Sequence, residues 1–456
     1  MLKQQNLNNL TTISPIDGRY YSKTKELSKY FSEYALIKYR TKIEALYLIE
    51  LSKARVIRSI KVSEKKLLNN LWQKFSLKDA DLIKEIEKEI NHDVKAVEYF
   101  ITAKLKKTSL EDLISFIHFG LTSEDVNNLA YSLMIKDCLE KIYYPQLDGL
   151  IDEIGNLAKK YKTSAMISRT HGQPASPTTM GKELAVFVYR LKKQKASFPE
   201  KLSGKLAGAV GNYNAHQVTY PKINWIKFSN QFVKSLDLEP WLIVTQIEPH
   251  DRWAELFHSM IRTNNILLDF CKDIWFYIAL DYLAQTPKKG EVGSSTMPHK
   301  VNPIDFENAE GNLGLSNAIL NHFVEKLSIS RMQRDLSDST VMRNIGVSFA
   351  HILVALYSIE KGLGKLSLNK KQLDKDLSKN LELLSEAIQT ILRRENYPHA
   401  YDELKKISRG RKLTKKRIDL FIDKITISVK VKKELKSLTV DKYIGLAEKL
   451  TQTATL

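Results

Sequence analysis

The stretch SEDVNNLAYSLM at residues 123–134 carries the pattern that decides the fold. Its apolar residues recur at positions i, i+3, i+4, i+7 and i+8, and they are Val126, Leu129, Ala130, Leu133 and Met134. This spacing places them on one stripe of an α-helix, which becomes stable when the stripe is buried against another element. The stretch therefore predicts an amphipathic helix that begins near Ser123.

The same helical period continues outward along the chain. Long periodic segments cover 174–197, 250–282, 303–329 and 340–363, and several exceed the average helix length of about 11–12 residues. The chain has only 12 prolines and 18 glycines, and they cluster between these segments. Long helices with few interruptions are typical of a helix bundle. Because no segment alternates strongly enough to indicate a sheet, the sequence predicts an all-α protein.

The length of 456 residues suggests about three domains. Shorter helical segments precede residue 121, and the longest ones lie between 121 and 365. We expect an N-terminal helical domain over 1–120, a central long-helix bundle over 121–365 and a basic helical domain over 366–456.

Composition narrows the class of protein. Hydrophobic residues make up 43% of the chain and charged residues 27%, as in ordinary globular proteins. The two cysteines lie far apart and the ten histidines show no His-x-x-x-His spacing, so we expect neither a disulfide framework nor a metal site. The N-terminus lacks the apolar region of a signal peptide, and no apolar run approaches the ~20 residues that span a bilayer. The sequence predicts a cytoplasmic protein.

The charge balance is unusual. Lys and Arg total 71 against 52 Asp and Glu, and residues 401–440 alone contain 13 basic and 5 acidic residues. Such an excess is compatible with binding to nucleic acid. It is also compatible with a lysine-rich solvated surface whose field attracts an anionic substrate. We favour the second interpretation, without a nucleic-acid partner, because no nucleic-acid-binding motif accompanies the charge.

A polar loop, GSSTMPHKVNP at residues 293–303, separates two of the long helical segments. Asn302 and Pro303 suit the N-cap and first position of the next helix, with Asp305 in its first turn. A helix N-terminus favours an anion, and Lys300 adds a full positive charge beside it. The two adjacent serines are then either a nucleophile or base with an easily ionised hydroxyl, or plain surface serines in a capped loop. Local chemistry leaves both interpretations open.

This loop resembles the signature GSSxMPxKxNP of the fumarase/aspartase superfamily. The members are mostly helical, have three domains and form homotetramers around a central helix bundle, with each active site built from three subunits. They cleave C–N or C–O bonds by anti elimination and usually release fumarate. The resemblance implies the same fold and assembly here, catalysis without metal or cofactor, and Ser294 as the catalytic base.

A second segment, SRTHGQP at residues 168–174, narrows the family. Gly172 and Pro174 predict a turn before a helix, and a lone histidine in such a turn is often structural. The segment nevertheless resembles the one that carries the general acid in the purine branch of the superfamily. The leaving group of that reaction is a purine nitrogen, which needs a proton as the C–N bond breaks. The resemblance implies that His171 supplies it.

The remaining matching segments are SPIDGRY at 14–20, NHDVKAVE at 91–98, HFGLTSEDVN at 118–127, QIEPHD at 246–251, RMQRD at 331–335 and STVMR at 339–343. By local chemistry they form a turn, helix caps with Asn91 or Asp93 and Thr122 or Ser123 as the capping residue, and a solvated basic helix face. The resemblance implies that they and the signature loop bind a purine nucleotide through Arg19, Tyr20, Asn91, His92, Asp93, Thr122, Ser123, Gln246, Ser295, Lys300, Val301, Asn302, Asn308, Arg334, Ser339, Thr340, Val341, Met342 and Arg343.

The resemblance runs from about Ser14 to near the C-terminus and is greatest for the long bacterial form of the purine branch. It implies elimination of fumarate from adenylosuccinate, giving AMP, and from the succinyl-carboxamide ribotide of purine synthesis. Other lyases of the same fold are alternatives: argininosuccinate lyase, fumarase, aspartase and the carboxymuconate cycloisomerase. The segments that resemble nucleotide-binding motifs argue against these alternative lyases, because a small diacid substrate would not need them. A non-catalytic helical protein that binds RNA through its basic C-terminal region is an alternative from a different class.

Overall fold

The computed structural model describes residues 9–286, 296–297, 299–408 and 413–456, without the side chains of Ile407 and Ser408. Most of the described chain is α-helical, so the predicted helical class is confirmed. Up to residue 160, the α-helices are Tyr21–Thr24, Ser28–Phe31, Glu33–Lys53, Val62–Gln73, Leu77–Ile90, Asp93–Leu105, Ser123–Cys138 and Tyr144–Lys160. Shorter 3₁₀ segments cover Lys25–Leu27 and Glu111–Phe116, and a π-helical turn covers Leu139–Tyr143.

The helices continue through the rest of the described chain. Between residues 180 and 363 they are Met180–Lys195, Asn214–Thr219, Trp225–Ser235, Asp251–Ala279, Ile304–Leu327, Ser337–Met342 and Ile345–Leu363. After residue 369 they are Lys370–Lys379, Leu384–Arg394, Ala400–Ser408, Lys415–Lys424, Val429–Ser437 and Ala447–Thr455, with 3₁₀ segments at Leu381–Leu383 and Val440–Lys442.

The described residues also form three two-stranded sheets, which the sequence pattern did not indicate. Ala165–Thr170 pairs antiparallel with Gln173–Thr179, Ser203–Gly204 pairs parallel with Glu239–Pro240, and Leu283–Gln285 pairs antiparallel with Leu366–Leu368. The predicted helix over 174–197 therefore begins only at Met180. Prolines at 174 and 177 explain the error, because each disfavours the helical conformation of the residue before it.

The chain forms two compact units, and the first contains the described residues up to Leu147 together with Ser197–Asn264 and Gly311–Tyr357. Helix Glu33–Lys53 packs against helix Ser123–Cys138 in this unit. Within its core the Trp253 indole N–H donates to Ser132 Oγ at 3.0 Å, and Ser132 donates to the Ser203 carbonyl at 2.8 Å. These bonds satisfy polar groups that would otherwise be buried without partners.

The second unit contains the described residues of Asp148–Ala196, Asn265–Glu310 and Ser358–Leu456. Helix Met180–Lys195 packs against the C-terminal helix Ala447–Thr455. A Cβ at Gly181 would lie 2.4 Å from the Ala158 carbonyl oxygen and 2.5 Å from Lys162 Cα, so only glycine fits this approach. The three-domain division at 120 and 365 stays a prediction. The boundaries of these two units fall elsewhere, four of them inside the helices Tyr144–Lys160, Asp251–Ala279, Ile304–Leu327 and Ile345–Leu363.

An apolar core in the second unit joins the C-terminal helices to the strand Ala165–Thr170. That strand contributes Ala165 and Ile167. The C-terminal helices contribute Leu377, Leu384, Ile388, Leu392, Ile418, Ile422, Val431 and Leu435. One face of the strand is therefore fixed by residues that follow it far later in the chain.

The stretch Ser337–Leu363 has the length and composition to cross a membrane, with a mean hydropathy of 1.3 in its most apolar window. The expectation that no apolar run approaches this length was therefore wrong. It combines the helices Ser337–Met342 and Ile345–Leu363, and 61% of that window is buried inside the protein. A buried core helix satisfies the same criterion of length and composition.

Candidate active site

The N-terminus of helix Ser123–Cys138 is fixed by Asp125. Thr122 occupies the N-cap position, as predicted, and its N–H donates to Asp125 Oδ2 at 2.9 Å. The same carboxylate accepts the N–H groups of Ala207 at 2.9 Å and Gly208 at 3.1 Å, and its Oδ1 lies 2.9 Å from the Lys205 ammonium. Both charged side chains are fully buried. The predicted substrate contacts Thr122 and Ser123 therefore stand on a rigid helix end.

A close contact lies just before this helix. Gly120 adopts a φ of +69°, and a Cβ there would lie 2.7 Å from Nε2 of the buried His216 ring. The His216 ring packs 4.7 Å from the Trp225 ring, centroid to centroid, and Tyr47 Oη lies 3.1 Å from its Nε2. Burial lowers the pKa of His216, so the neutral ring is favoured as a packing element.

Glu124, the neighbour of Asp125, contacts a different segment. Its Oε2 lies 2.8 Å from Nη1 of Arg334, and the carboxylate is fully buried while 16% of the arginine side chain is exposed. Burial raises the pKa of Glu124 to about 7, and the Arg334 guanidinium opposes that rise. Arg334 Nη2 also lies 3.5 Å from Asp338 Oδ1, which accepts the Ser339 N–H at 2.7 Å. The predicted nucleotide contacts Arg334 and Ser339 are thus linked to the helix that begins at Ser123.

Gln246 connects this segment to the loop after Gly208. Its backbone N–H donates to the Gln333 carbonyl at 3.2 Å, and its side-chain amide donates to the Ala209 carbonyl at 2.8 Å. Two residues further on, the buried Glu248 accepts the His250 N–H at 2.9 Å. The predicted contact Gln246 therefore lies beside the segment that carries Arg334.

The segment Asn91–Asp93 makes a sharp turn between two helices. Asn91 has a left-handed conformation with φ 54° and ends the preceding helix. His92 is the N-cap of the next helix, and its Nδ1 accepts the Lys95 N–H at 3.1 Å. The expectation that Asn91 or Asp93 would cap this helix was therefore wrong. Because Nδ1 is an acceptor, a neutral His92 carries its proton on Nε2 and its half-exposed ring presents a donor.

Asp93 forms an ion pair with Arg343, so this predicted contact lies beside the turn at Asn91–Asp93. Asp93 Oδ2 lies 2.7 Å from Arg40 Nη2 and 3.3 Å from Arg343 Nη2. Burial raises the pKa of Asp93, but the charge of Arg40 and its hydrogen bond outweigh burial and lower the pKa overall. Arg343 Nη1 also lies 2.6 Å from Glu33 Oε2. Glu33, Met342 and Arg343 line a cavity of 90 Å³ in the first unit.

The other predicted residues of the STVMR segment before Arg343 lie within the short helix Ser337–Met342. Ser339 and Val341 are partly buried, Thr340 is exposed and Met342 is buried. Arg343 directly follows the helix with a helical φ of −61°. Ser339 and Arg343 therefore lie one helical turn apart, as predicted.

The N-terminal segment SPIDGRY forms the predicted turn. The Gly18 N–H donates to the Ser14 carbonyl at 3.2 Å, and the Tyr20 N–H donates to the Pro15 carbonyl at 2.9 Å. Arg19 is exposed and Tyr20 is partly buried. This geometry leaves the Arg19 side chain accessible to a ligand.

In the second unit His171 lies at the tip of the hairpin formed by Ala165–Thr170 and Gln173–Thr179. It is exposed and has a left-handed φ of 52°, followed by Gly172 at 75°. The predicted turn is confirmed, although a strand separates it from the helix that begins at Met180. The hairpin presents the histidine side chain at the end of two paired strands.

The described part of the signature loop also lies in the second unit. Lys300 and Val301 are exposed, and the Val301 carbonyl accepts the Gln285 amide at 3.2 Å. Asn302 is partly buried, and Asn308 Oδ1 accepts the Ser358 hydroxyl at 2.9 Å. Ser294 and Ser295, the predicted base and its neighbour, lie outside the described residues.

The helix after this loop begins at Ile304, one residue later than predicted. The Pro303 carbonyl accepts N–H groups from the first turn, those of Phe306 at 3.1 Å and Glu307 at 3.2 Å. Asn302 therefore stands outside the helix, next to its N-terminus.

His118 is a functional candidate that lies outside the predicted site residues. Its ring Nδ1 lies 2.6 Å from Glu44 Oε1, and its backbone N–H donates to Glu44 Oε2 at 3.1 Å. Burial lowers the pKa of His118, but the charge of Glu44 and the hydrogen bond to it outweigh burial, so the pKa lies above its usual value. No local signal in the sequence could have paired two residues so far apart in the chain.

Among residues 9–286, 296–297, 299–408 and 413–456, no group of three or more His, Cys, Asp or Glu side chains is arranged to hold a metal ion. The basic segment 401–440 has an ordinary surface where it is described. Its apolar residues Ile418, Ile422 and Leu435 are buried, whereas Lys416 and Lys430 are exposed. This arrangement is typical of a solvated basic face.

Comparison with solved structures identifies the fold. The crystal structure of a fumarate lyase from Mesorhizobium sp. BNC1 superposes with a TM-score of 0.73 at 15% identity, over 94% of this chain and 97% of that chain. That of 3-carboxy-cis,cis-muconate lactonizing enzyme from Pseudomonas putida superposes with a TM-score of 0.71 at 17% identity, over 94% and 96%. A family model described as "Lyase" matches residues 18–317. The helical fold and the signature loop thus define a lyase of the fumarase/aspartase superfamily.

Relatives with similar sequences show which branch of the superfamily the chain resembles most. A second family model, "Adenylosuccinate lyase C-terminal", matches residues 330–444. Adenylosuccinate lyase of Legionella pneumophila (strain Corby) is 51% identical over 97% of this chain and 98% of its own length. The enzymes of Dictyostelium discoideum and Escherichia coli (strain K12) are 50% and 46% identical, over 96% and 97% of this chain and 97% and 98% of their own lengths. The chain belongs to the adenylosuccinate lyase family.

Proposed function

We propose that this chain eliminates fumarate from adenylosuccinate to give AMP, and from the succinyl-carboxamide ribotide in the same way. The observation that carries the proposal is the identity of about half of all residues, over nearly the whole chain, with relatives named adenylosuccinate lyase. Three described site segments support it, because they adopt a helix cap, a hairpin turn and an ion-paired geometry on which a substrate can be positioned.

The substrate carries a succinyl group on the purine N6, and its reaction begins at the succinyl β-carbon. Ser294 removes the β-proton, which leaves a carbanion whose charge spreads onto the adjacent carboxylate. Preformed donors must meet this charge, or the barrier stays too high. Lys300 and Asn302 supply them on one side, and Thr122 and Ser123 supply them on the other.

The second half of the reaction breaks the C–N bond. The electron pair left on the β-carbon forms the double bond of fumarate, and the bond to N6 breaks with its electrons going to nitrogen. His171 donates a proton to N6, so AMP leaves as a neutral amine. A general acid of this kind contributes roughly 10²–10⁴-fold to the rate. The signature loop closes over the substrate to exclude water.

The remaining site residues bind the nucleotide and orient the succinyl group. Ser339 and Arg343 bind the phosphate, for which a guanidinium fork is well suited. Further nucleotide and substrate contacts come from Arg19, Tyr20, Asn91, His92, Asp93, Gln246, Ser295, Val301, Asn308, Arg334, Thr340, Val341 and Met342. No metal or cofactor takes part in this scheme. We place the enzyme in the cytoplasm as a homotetramer whose active sites are shared between subunits.

The first experiment is to incubate the purified chain with adenylosuccinate and a chelator, and to follow the products by proton NMR. Equal amounts of AMP and fumarate are expected. If neither product appears with either purine substrate, the proposed activity is wrong, and the related diacid lyases are the next to be assayed.

The roles of the acid and base are tested by substitution. The Ser294→Ala and His171→Ala variants should lose turnover by at least about 100-fold while still binding substrate. His399→Ala is a matched control, because His399 is also exposed and also has a left-handed φ, of 58°. Near-normal turnover in His171→Ala, or an equal loss in the control, would remove His171 from the mechanism.

A further inference from the structure

Two consecutive acidic residues at the start of helix Ser123–Cys138 contact two different parts of the site. Asp125 binds the segment 205–208 through two backbone N–H groups and the Lys205 ammonium. Glu124 pairs with Arg334, at 2.8 Å. The helix end therefore stays attached to the 205–208 segment when only Glu124 is altered.

Helix-dipole effects alone do not explain the position of Glu124. A glutamate in the first turn of a helix complements the dipole while it is exposed to water. Glu124 is instead fully buried, where a carboxylate loses its hydration and needs a paired cation. Arg334 is the cation paired with it, and burial raises the pKa of Glu124 to about 7 despite that partner. The pairing with Arg334 thus lowers the cost of burying Glu124 without removing it.

The ion pair continues toward the proposed phosphate site. Arg334 lies 3.5 Å from Asp338 Oδ1, and that oxygen accepts the Ser339 N–H at 2.7 Å. This series of contacts, from Glu124 through Arg334 and Asp338 to Ser339, begins beside Thr122 and Ser123. Those two residues are proposed to bind the succinyl carboxylates. It ends at Ser339, which is proposed to bind the phosphate at the opposite end of the substrate.

We infer that Glu124 is a positioning residue for the nucleotide: its carboxylate holds Arg334, and so fixes the segment 334–343 relative to the N-terminus of helix Ser123–Cys138. This inference rests on the proposed function, since it assigns the two ends of the series to the two ends of the substrate. Glu124 itself touches no reacting atom and acts only through Arg334.

The test is a double-mutant cycle read out by AMP binding, measured by titration calorimetry on the full chain. Glu124→Gln and Arg334→Gln should each weaken AMP binding about tenfold, as expected for loss of a positioned, charge-assisted contact. The double variant should lose no more than one of the single variants, because residues that act through each other are not additive. The affinity for fumarate should change less than twofold in Glu124→Gln.

The matched control is Glu255→Gln. Glu255 pairs with Arg252 at the same 2.8 Å, but both side chains are substantially exposed and neither has a proposed role in the site. This control should bind AMP like the unmodified chain. If Glu124→Gln does not fold, Glu124→Asp keeps the charge but is one methylene shorter, and it should weaken AMP binding several-fold.

Three results would overturn the inference. They are unchanged AMP binding in the folded Glu124 variant, a double variant whose loss equals the product of the single losses, and an equal weakening of fumarate binding. These results are distinct from failure of the proposed function, which would show as an unmodified chain that forms no AMP and fumarate.

Discussion

Replacing Asp125 with asparagine should destabilise the protein strongly. The carboxylate and the Lys205 ammonium lie 2.9 Å apart, and both side chains are 0% exposed. Oδ1 also accepts the Ala207 N–H, and Oδ2 accepts those of Thr122 and Gly208. Asparagine keeps the shape of the side chain but removes its charge, and its amide NH₂ must face at least one of these donors.

The expected cost follows from burial. Removing one partner of a buried ion pair leaves an uncompensated charge, which typically costs about 3–5 kcal/mol. The lost acceptor adds roughly 1–3 kcal/mol for a backbone N–H without a partner, and the two terms overlap because they concern one carboxylate. We therefore expect the free energy of unfolding to fall by about 4 kcal/mol.

Asp237→Asn is the control. Asp237 lies 2.8 Å from the Lys136 ammonium and 2.7 Å from that of Lys201, but 55% of its side chain is exposed. Exposed ion pairs contribute about 0–1 kcal/mol, and asparagine tolerates the φ of 59° at this position. The control should therefore lose less than about 1 kcal/mol.

The assay is urea denaturation at one protein concentration, followed by tryptophan fluorescence and far-UV circular dichroism. Equal slopes for both variants and the unmodified chain would show that the variants expose the same surface on unfolding. If the free energy of unfolding falls no more in Asp125→Asn than in Asp237→Asn, the Asp125 carboxylate does not stabilise the fold in the way described.

Three further outcomes are expected. Burial raises the pKa of Glu248 from 4.5 to about 7, so its protonation stabilises the folded state at low pH and this stabilisation is lost as the pH rises to about 7. In urea titrations from pH 5 to pH 8, Glu248→Gln should therefore gain up to about 3 kcal/mol over the unmodified chain, and an equal difference at both pH values would contradict this. Gly181→Ala should lower the melting temperature in calorimetry, because its Cβ would lie 2.4 Å from the Ala158 carbonyl oxygen, while an unchanged temperature would show that the helices separate freely. Burial raises the pKa of both Cys138 and Cys271, so a thiol reagent should react fast with two groups per chain only after denaturant is added, and rapid reaction of the native protein would show that they are accessible.

Periodicity and capping chemistry predicted most of the helical structure. The stripe from Val126 to Met134 lies on a helix with Thr122 at its N-cap, as expected. Both signals are local, because they depend on residues within one or two turns of each other. The hairpin before Met180 differs from the prediction for a local reason too, since Pro174 and Pro177 disfavour helix despite the apolar pattern that follows them.

The tertiary contacts of the site could not be predicted in this way. Glu124 and Asp125 are both expected at a helix N-terminus, and nothing nearby in sequence distinguishes one from the other. The structure gives them separate partners, Arg334 and Lys205, that lie far away in the chain. The motif resemblance predicts which segments form the site, whereas the contacts between those segments depend on packing between residues far apart in the chain.

The apolar core that joins the strand Ala165–Thr170 to the C-terminal helices has a practical consequence. A truncation in the region of the predicted domain boundary at 366 would remove Leu377, Leu384 and Ile388 and leave Ala165 and Ile167 facing water. The shortened chain would lose the support of the hairpin that presents His171, and the released C-terminal piece would lack part of its own core. The basic C-terminal region is therefore not a detachable module, and reporter fusions or protease sites are better placed at the chain ends than before residue 370.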